Sequence, residues 1–440
     1  MAPVDSYEIL VVGAGAAGLA AARALAAAGR RVAVIEARDR TGGRIFTNRV
    51  EIPNAAAPVS IELGAEFIHG LPQVTWDLIQ EARLGTYELD GTHVSFARGA
   101  FQSAGEDPGD AGHVIDDMMA WVAGQPPGTD FSFCEYLDRA RVDPARRKRA
   151  SAYVESFNAA DSHVIGVAAL ARQQIAEDEV HSDRLFHIES GYDALTAFLE
   201  SGFTAAGGTL LLQHVVRGIR WSRNQVALSG VDAHGRGFEL HAERAIVTLP
   251  LGVLHAGMVE FDPKPGEILL NAARMAMGPV VRMSLLFDAK FWQQDLSFLF
   301  ARDETPTAWW TPMPNAVPLI TGWAGGPKAT ALVQKVAAAA NPQALLEELL
   351  GALSRMYGLS VRELQKRLLS WHAHDWQADL YALGAYSYAP AGALNASANM
   401  TRPVADTLYF AGEHTDTTGH WGTVHGALGS GLRAAAQILA

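Results

Sequence analysis

Apolar residues run without a break through Ile9-Leu10-Val11-Val12, as in a strand buried on both faces, and stop at the glycine-rich Gly13-Ala14-Gly15-Ala16-Ala17-Gly18. The alanine-rich stretch from Ala16 to Ala28 predicts a helix, and Arg31-Val32-Ala33-Val34-Ile35 returns to strand character, so the chain opens on a βαβ unit. Past about Gly70 the pattern changes to helical and loop signals, with Gly-, Asp- and Pro-rich breaks between Gly99 and Asp130. Gly191-Tyr192-Asp193-Ala194-Leu195 predicts a turn leading into a helix, followed by strand-like segments at Thr209 to Gln213 and Ala245 to Leu249. A second block from about Met277 holds a β-type run, Val280 to Phe287, and a helix-favouring stretch, Pro342 to Tyr357. The chain closes on a short helix-favouring run, Leu432 to Ala440, and shows no internal repeat.

The first glycine turn suits phosphate chemistry. Glycines between a strand and a helix let the backbone approach a pyrophosphate, and the helix N-terminus turns free N–H groups and positive dipole toward it. Glu36 lies 18 residues beyond Gly18 at the end of the second strand, near the spacing at which a carboxylate accepts hydrogen bonds from a ribose. Gly13, Gly15, Ala16, Gly18 and Glu36 are therefore candidate dinucleotide contacts. A second glycine turn, Gly42-Gly43-Arg44, would bring a cation to the diphosphate from the other side, which favours FAD over NAD.

Composition sets the frame for this reading. A chain of 440 residues with 49% hydrophobic content can bury a large core and should hold two lobes. With 35 basic and 47 acidic residues the net charge is −12, which argues against a nucleic-acid partner and for attraction of a cationic substrate. The single cysteine, Cys134, excludes an internal disulfide and a cysteine-based metal site. No metal is expected: His420 and His425 are not spaced as helical co-ligands, and no HExxH motif occurs. GxSxG and Cys-His nucleophile patterns are absent as well. No signal-peptide pattern or spanning segment is visible, so the expectation is a soluble, cytoplasmic protein without a membrane partner.

Five motifs carry a resemblance over almost the whole chain. They are the Gly13 to Gly18 turn, Gly42-Gly43-Arg44, Glu62-Leu63-Gly64-Ala65-Glu66-Phe67-Ile68-His69-Gly70, Val247-Thr248-Leu249-Pro250-Leu251-Gly252-Val253-Leu254, and Phe410-Ala411-Gly412-Glu413 with Gly422-Thr423-Val424-His425-Gly426-Ala427. In these the chain resembles the flavin-containing amine oxidase family of monoamine oxidases, polyamine oxidases and lysine-specific histone demethylases, closest to its polyamine oxidase-like members. The resemblance implies an α/β fold: a Rossmann-like FAD-binding domain of noncontiguous segments, 1–75, 190–275 and 390–440, and an interleaved α+β substrate domain, 76–189 and 276–389, whose mixed sheet is flanked by helices. Glu36 is then similar to the ribose ligand, Arg38 and Arg44 to basic residues around the dinucleotide, and Gly43, Gly64, Ala65 and Gly412 to backbone contacts. Val216 falls where the family brackets the adenine, and Glu413 near the diphosphate and ribityl chain. Thr423-Val424 would open a helix beneath the flavin ring, where the positive dipole stabilises reduced, anionic flavin.

Four positions set this chain apart from one or another relative. The dipeptide that in monoamine oxidases carries a flavin-linked cysteine reads Ala385-Tyr386, so FAD is expected to be noncovalent. Thr423 stands where monoamine oxidases have a second active-site tyrosine, leaving a one-sided aromatic cage of Tyr386 against the amine and Trp376 against the flavin. Arg282 aligns with the lysine that holds a water at flavin N5, and an arginine stays charged at working pH; the alternative is a surface-paired strand residue. His69 resembles the histidine of spermine- and acetylpolyamine-type oxidases and is expected to hydrogen-bond the amine and favour its neutral form. The catalytic candidates are thus Arg282, His69, Tyr386, Trp376 and Thr423.

The implied reaction is oxidation of a primary or secondary amine by hydride transfer to flavin, giving imine or aldehyde and, with oxygen, hydrogen peroxide. A polyamine or diamine is the favoured substrate, because net charge, His69, Thr423 and the acidic Glu177-Asp178-Glu179 all suit several ammonium groups. Aromatic or aliphatic monoamines are the alternative, suited by Trp309-Trp310 and Trp323. An L-amino-acid oxidase and a non-catalytic flavoprotein rank lower. Glu155, Asp161 and Glu189 are equivalent candidates for a second amine anchor, and no motif speaks to the oligomeric state.

Overall fold

The computed structural model describes residues 7–51, 58–103, 110–126, 128–339, 341 and 343–440. The predicted breaks between Gly99 and Asp130 fall partly outside these residues, as does Pro342 at the start of the expected helix; the helix itself runs Ala344–Tyr357.

Two sheets organise the molecule. The first has five parallel strands in the order Thr209–Leu211, Val32–Ile35, Ile9–Val12, Arg244–Val247, Leu408–Phe410. Parallel strands need crossovers and are buried on both faces, which is why the run at Ile9 does not alternate with polar residues. Ile9, Val11, Val34 and Ile246 face the helices Ala16–Ala27, Asp193–Ala205 and Val424–Leu439. Leu10, Val12, Ala33 and Ile35 face the other way, into a core shared with the antiparallel strands Val215–Ser222, Gln225–Val231 and Gly237–Ala242. The alanine-rich helix packs tightly on the terminal helix, where a side chain at Gly431 would reach within 2.1 Å of the Ala17 carbonyl oxygen. That terminal helix begins at Val424, as the Thr423-Val424 opening implies, and runs on through the helix-favouring segment from Leu432.

The second sheet has seven strands in the order Leu368–Ala373, Val280–Phe287, Leu319–Gly325, Ala308–Trp310, Leu296–Ala301, Thr92–Ala97, Ala100–Ser103. It is mixed: Leu296–Ala301 and Thr92–Ala97 pair in parallel, the other neighbours antiparallel. The apolar face of the helix Ala344–Tyr357, with Leu346, Leu349, Leu350, Leu353 and Met356, covers Met283, Leu285 and Phe287. A helical layer, Asp110–Ala123, Phe133–Arg139, Pro144–Asn158 and Val167–Glu179, has its own core around Phe133, Tyr136, Val154 and Leu170.

Short links join the two halves. Ile68–His69 and Thr86–Glu88 both pair with Leu185–Ile188, and Ala276–Gly278 pairs with Tyr386–Tyr388. His69 and Tyr386 therefore sit on the seams between the sheets. The architecture is a Rossmann-like α/β nucleotide fold with an α+β partner built on a mixed sheet.

Candidate active site

The two glycine turns form one cradle. Gly13 has φ +106°, and a Cβ there would lie 2.6 Å from Thr248 Oγ1; a Cβ on Gly18 would lie 2.0 Å from the Gly13 carbonyl oxygen. A side chain at Gly18 would push the strand and helix apart, and at Gly13 the positive φ and the Thr248 hydroxyl both stand against one, so glycine is required at each. Gly15 forms a parallel bridge with Gly42, and the space beside Gly43 opens onto the Gly15 Cα at 3.3 Å. The helix starting at Ala16 has no side-chain cap and no acidic residue in its first turn. Its leading N–H groups and positive end are thus available to an anion between the turns.

Glu36 closes one end of this cradle. It is buried, with one carboxylate oxygen accepting from the Ala14 N–H at 2.8 Å and the other from the Arg38 N–H at 2.9 Å. Burial pushes its carboxyl up, and the two backbone bonds partly oppose this. Glu36 lines a cavity together with Gly13, His214, Val216, Thr248 and Tyr381. The expected ribose and adenine contacts, which lie 180 residues apart in sequence, thus share one wall.

The basic residues are already paired. Arg38 forms a two-pronged bridge to Asp379, 2.8 Å at each oxygen, and stands over the Tyr381 ring at 5.4 Å. Burial opposes ionisation of Asp379, but bonds from His374 and Arg38 hold its carboxyl below the usual carboxylate range. Arg44 donates to the Ala385 carbonyl at 2.6 Å and to Glu413 at 2.9 Å. Glu413 also accepts from the Ser387 hydroxyl at 2.6 Å and the Gly422 N–H at 2.9 Å. Gly412, with φ +130°, turns the chain between the strand Leu408–Phe410 and the short helix holding Glu413, and its N–H donates to Ser430 at 2.8 Å.

Arg282 is not a surface residue. It lies buried on the strand Val280–Phe287, next to the edge strand Leu368–Ala373, donating at 2.7 Å both to the Gly64 carbonyl and to Glu66. Its Nε has no partner, and its guanidinium stands 5.7 Å from the Trp310 ring. The other Glu66 oxygen is 3.8 Å from His187. Next to Gly64, Leu63 accepts the Trp376 indole N–H at 2.8 Å, and Ala65 donates to the Arg44 carbonyl at 3.1 Å. The segment from Leu63 to Glu66 is therefore clamped to Arg44, Arg282 and Trp376 at once.

Tyr386 is paired with Trp323. Their rings are nearly parallel at 6.4 Å, and Trp323 is followed by Trp310 at 5.9 Å, so the expected one-sided cage is an aromatic wall. The Tyr386 hydroxyl donates to the Phe157 carbonyl at 2.8 Å, and its ring lies beside Gly422. Thr423 caps the terminal helix, its Oγ1 accepting from the Gly426 N–H at 3.0 Å and donating to His420 at 2.8 Å, with Val424 as first helical residue. Burial pushes His69 down to about 4, so its ring is neutral near pH 7. His425, one residue past Val424, is buried with Nε2 unpaired and has its charge disfavoured by burial and by His420 and His69. Among the described residues no group of side chains is arranged to hold a metal ion.

The comparisons decide what this arrangement belongs to. The family described as flavin containing amine oxidoreductase matches residues 16–121 and 128–439. The chain is a member of the flavin-containing amine oxidoreductase family. It is 26% identical to lysine-specific histone demethylase 1 homolog 1 of Arabidopsis thaliana over 99% of this chain and 52% of that protein. The chain thus spans about half the length of the curated demethylase relatives it matches. It is also 26% identical to polyamine oxidase 4 of Oryza sativa subsp. japonica, over 97% of this chain and 88% of that one. Among solved structures, putrescine oxidase bound to putrescine superposes with a TM-score of 0.82 at 20% identity, covering 99% and 100% of the two chains. Cyclohexylamine oxidase from Brevibacterium oxydans IH-35A gives 0.79 at 20% identity, covering 98% of each. The flavin is FAD, and the residues fit it: a glycine cradle with uncapped helix N–H groups, and one cavity lined by Glu36 and Val216, where the ribose and adenine contacts are expected.

Several contributors escape sequence reasoning. Thr248, inside a quoted motif, donates to the Val12 carbonyl at 2.8 Å and fills the space a side chain at Gly13 would need. Asp379 and Ser387 carry no local signal, since they matter only through Arg38 and Glu413. Glu66 was visible as a residue in the Glu62 to Gly70 motif, but not as the counter-charge of Arg282.

Proposed function

We propose that this chain oxidises primary or secondary amines, with a polyamine or diamine as substrate and oxygen as final acceptor. When bound, FAD supplies a two-electron acceptor for hydride from the carbon beside the amine nitrogen, leaving an imine that water converts to aldehyde, and oxygen takes up the electrons as hydrogen peroxide. The chain's own groups prepare the amine. The observation that carries this reading is the parallel Tyr386–Trp323 pair, continued ring to ring through Trp310 and Phe67 to a neutral His69. Ring faces attract an ammonium nitrogen, and a neutral imidazole can donate its N–H to the lone pair of the amine, which favours the deprotonated form needed for hydride loss.

Arg282, fixed by Gly64 and Glu66, cannot serve as a base and acts as a fixed donor fork. Because Glu66 already engages it, it offers no free fork to a substrate carboxylate, which weighs against an amino-acid oxidase. The negative net charge and the likeness to a polyamine oxidase support the polyamine reading. The run of Trp310, Trp323 and Tyr386 favours aromatic or aliphatic monoamines as the second reading. No described helix is long and apolar enough to cross a membrane, and a cytoplasmic location is part of the proposal, checked by cell fractionation.

Anaerobic mixing of the FAD-loaded enzyme with putrescine, spermidine, spermine, acetylated polyamines, aromatic monoamines and amino acids tests it. Flavin bleaching fastest with the polyamines or diamines, and peroxide on readmitting oxygen, is expected. Bleaching fastest with monoamines selects the second reading, and no bleaching by any amine would leave a flavoprotein without this activity.

A further inference from the structure

The helices Pro144–Asn158 and Val167–Glu179 enclose a pocket lined by Tyr153, Phe157, Asn158, Leu170, Gln173 and Glu177. Tyr153 and Phe157, four residues apart on one helix face, hold their rings parallel at 5.7 Å and 7°. Both are unusually open for large aromatic residues, 43% and 41% exposed, so they present ring faces rather than fill a core.

Glu177 stands opposite them on the second helix, half-buried, and accepts from the Gln173 amide at 2.8 Å. Among the described residues no cationic side chain acts on it; its only charged neighbour is the like-charged Asp178. Burial pushes its carboxyl up to about 7. A desolvated carboxylate gains most from a cation, and ring faces beside it supply the further attraction an ammonium group finds on aromatic surfaces. The pocket also adjoins the aromatic wall, because the Phe157 carbonyl accepts the Tyr386 hydroxyl at 2.8 Å.

Resting on the amine-oxidase reading, we propose that Glu177 and the Tyr153–Phe157 ring pair form a subsite for the second ammonium group of an aliphatic diamine or polyamine whose first amine lies against Tyr386. The acids expected from sequence lie outside this pocket. Glu155 accepts the Ser162 hydroxyl at 2.6 Å, Asp161 accepts the His163 N–H at 2.8 Å, and Glu189 lies against Gly85. None of the three lines this pocket. Glu177 thus serves as more than a solvated or steering charge: it sets chain-length specificity.

The test compares kcat and KM of the FAD-loaded enzyme for putrescine and spermidine with those for n-butylamine, in wild type, Glu177→Gln and Tyr153→Leu. Glu177→Gln should lower the ratio of kcat/KM for diamine over monoamine by about tenfold or more, with the loss in KM rather than kcat. Tyr153→Leu should lower the same ratio by about threefold, and flavin retention reports that both variants are folded. An unchanged ratio in Glu177→Gln overturns the subsite while leaving a diamine-preferring wild type intact. A wild type that oxidises n-butylamine as readily as putrescine removes the polyamine reading itself, and the subsite with it.

Discussion

Arg44 and Glu413 share a 2.9 Å hydrogen bond although 369 residues separate them in the chain. The bond ties the second glycine turn to the last segment before the terminal helix, and Glu413 carries the tie onward to Ser387 and Gly422. Burial works against the Glu413 charge, yet Arg44 and its other donors hold its carboxyl below the usual range. The bond thus joins two distant segments that are both expected to face the FAD diphosphate.

Removing the acid leaves Arg44 without its counter-charge in a largely buried setting. Glu413→Ala should cost about 3 to 5 kcal/mol, toward the lower figure because the Arg44 side chain retains 23% exposure. Denaturant unfolding of the FAD-free protein measures it, and FAD affinity should fall in parallel. A variant as stable as wild type would show that the tie contributes little.

FAD should be held tightly but without a covalent bond, since Ala385 offers no sulfur and only its carbonyl engages the site, through Arg44 at 2.6 Å. Acid precipitation should leave the yellow colour in the supernatant. Glu36→Ala should then weaken FAD binding by about 1.5 to 3 kcal/mol, the range for a hydrogen bond to a charged group. FAD retention unchanged on dilution would place the ribose acid elsewhere.

Glu62 makes a pH prediction with a definite sign. It is buried, accepts from the Tyr192 N–H and the Thr47 hydroxyl, and burial pushes its carboxyl up to about 8 from 4.5. A raised folded value means the folded protein keeps a proton the unfolded chain has lost. The stabilising contribution is therefore complete below about pH 4.5 and declines by about 1.4 kcal/mol per pH unit until about pH 8. Glu62→Gln cannot titrate, so its stability relative to wild type should rise steadily across that window. Parallel stability–pH curves for the two proteins would mean that Glu62 is ionised in the fold.

Tyr386 is more than a ring. Its hydroxyl donates to the Phe157 carbonyl at 2.8 Å. Tyr386→Phe should therefore destabilise by about 0.5 to 1.5 kcal/mol. Tyr386→Ala should in addition raise KM for amines by about 2- to 30-fold, the equivalent of losing a ring face at roughly 0.5 to 2 kcal/mol. Thermal melts and steady-state kinetics separate the two effects. His69→Ala should move the pH profile of kcat/KM upward, because more of the amine must then arrive neutral.

What was legible in the sequence follows from how local each signal is. The strand–turn–helix at Ile9 and the acid at Glu36 are fixed by neighbours within about one βαβ unit, so spacing alone exposed them. The aromatic wall was not legible, because Trp323 reaches Tyr386 only through the register that sets Leu319–Gly325 against Val280–Phe287 and then across a seam between sheets. Arg282 could be aligned but not characterised, since its environment comes from Gly64 and Glu66, over 200 residues away. Propensity alone marks the terminal helix only from Leu432, because its first turn, Val424 to Gly426, contains glycine and a β-branched residue and is held by the Thr423 cap; its start at Val424 was legible through the family resemblance.

The Arg282–Glu66 pair sets the sharpest test of the catalytic core. Arg282 is deeply buried and Glu66 largely so, and their 2.7 Å contact means that neither charge is free. Arg282→Met keeps much of the bulk but leaves Glu66, among the described residues, with His187 at 3.8 Å in place of its guanidinium partner and with the like-charged Glu62 nearby, so stability should fall by about 3 to 5 kcal/mol. The double variant Arg282→Met/Glu66→Gln removes both charges and should recover most of that loss, because a paired deletion leaves no orphan ion. If Arg282 also serves the reaction, flavin reduction by amine or reoxidation by oxygen must remain slow in the double variant although its stability has returned. Stopped-flow half-reactions on the FAD-loaded proteins distinguish the two cases. Wild-type rates in the double variant would assign Arg282 and Glu66 to holding the Leu63 to Glu66 segment in place, and the chemistry would have to be sought at His69 and the aromatic wall.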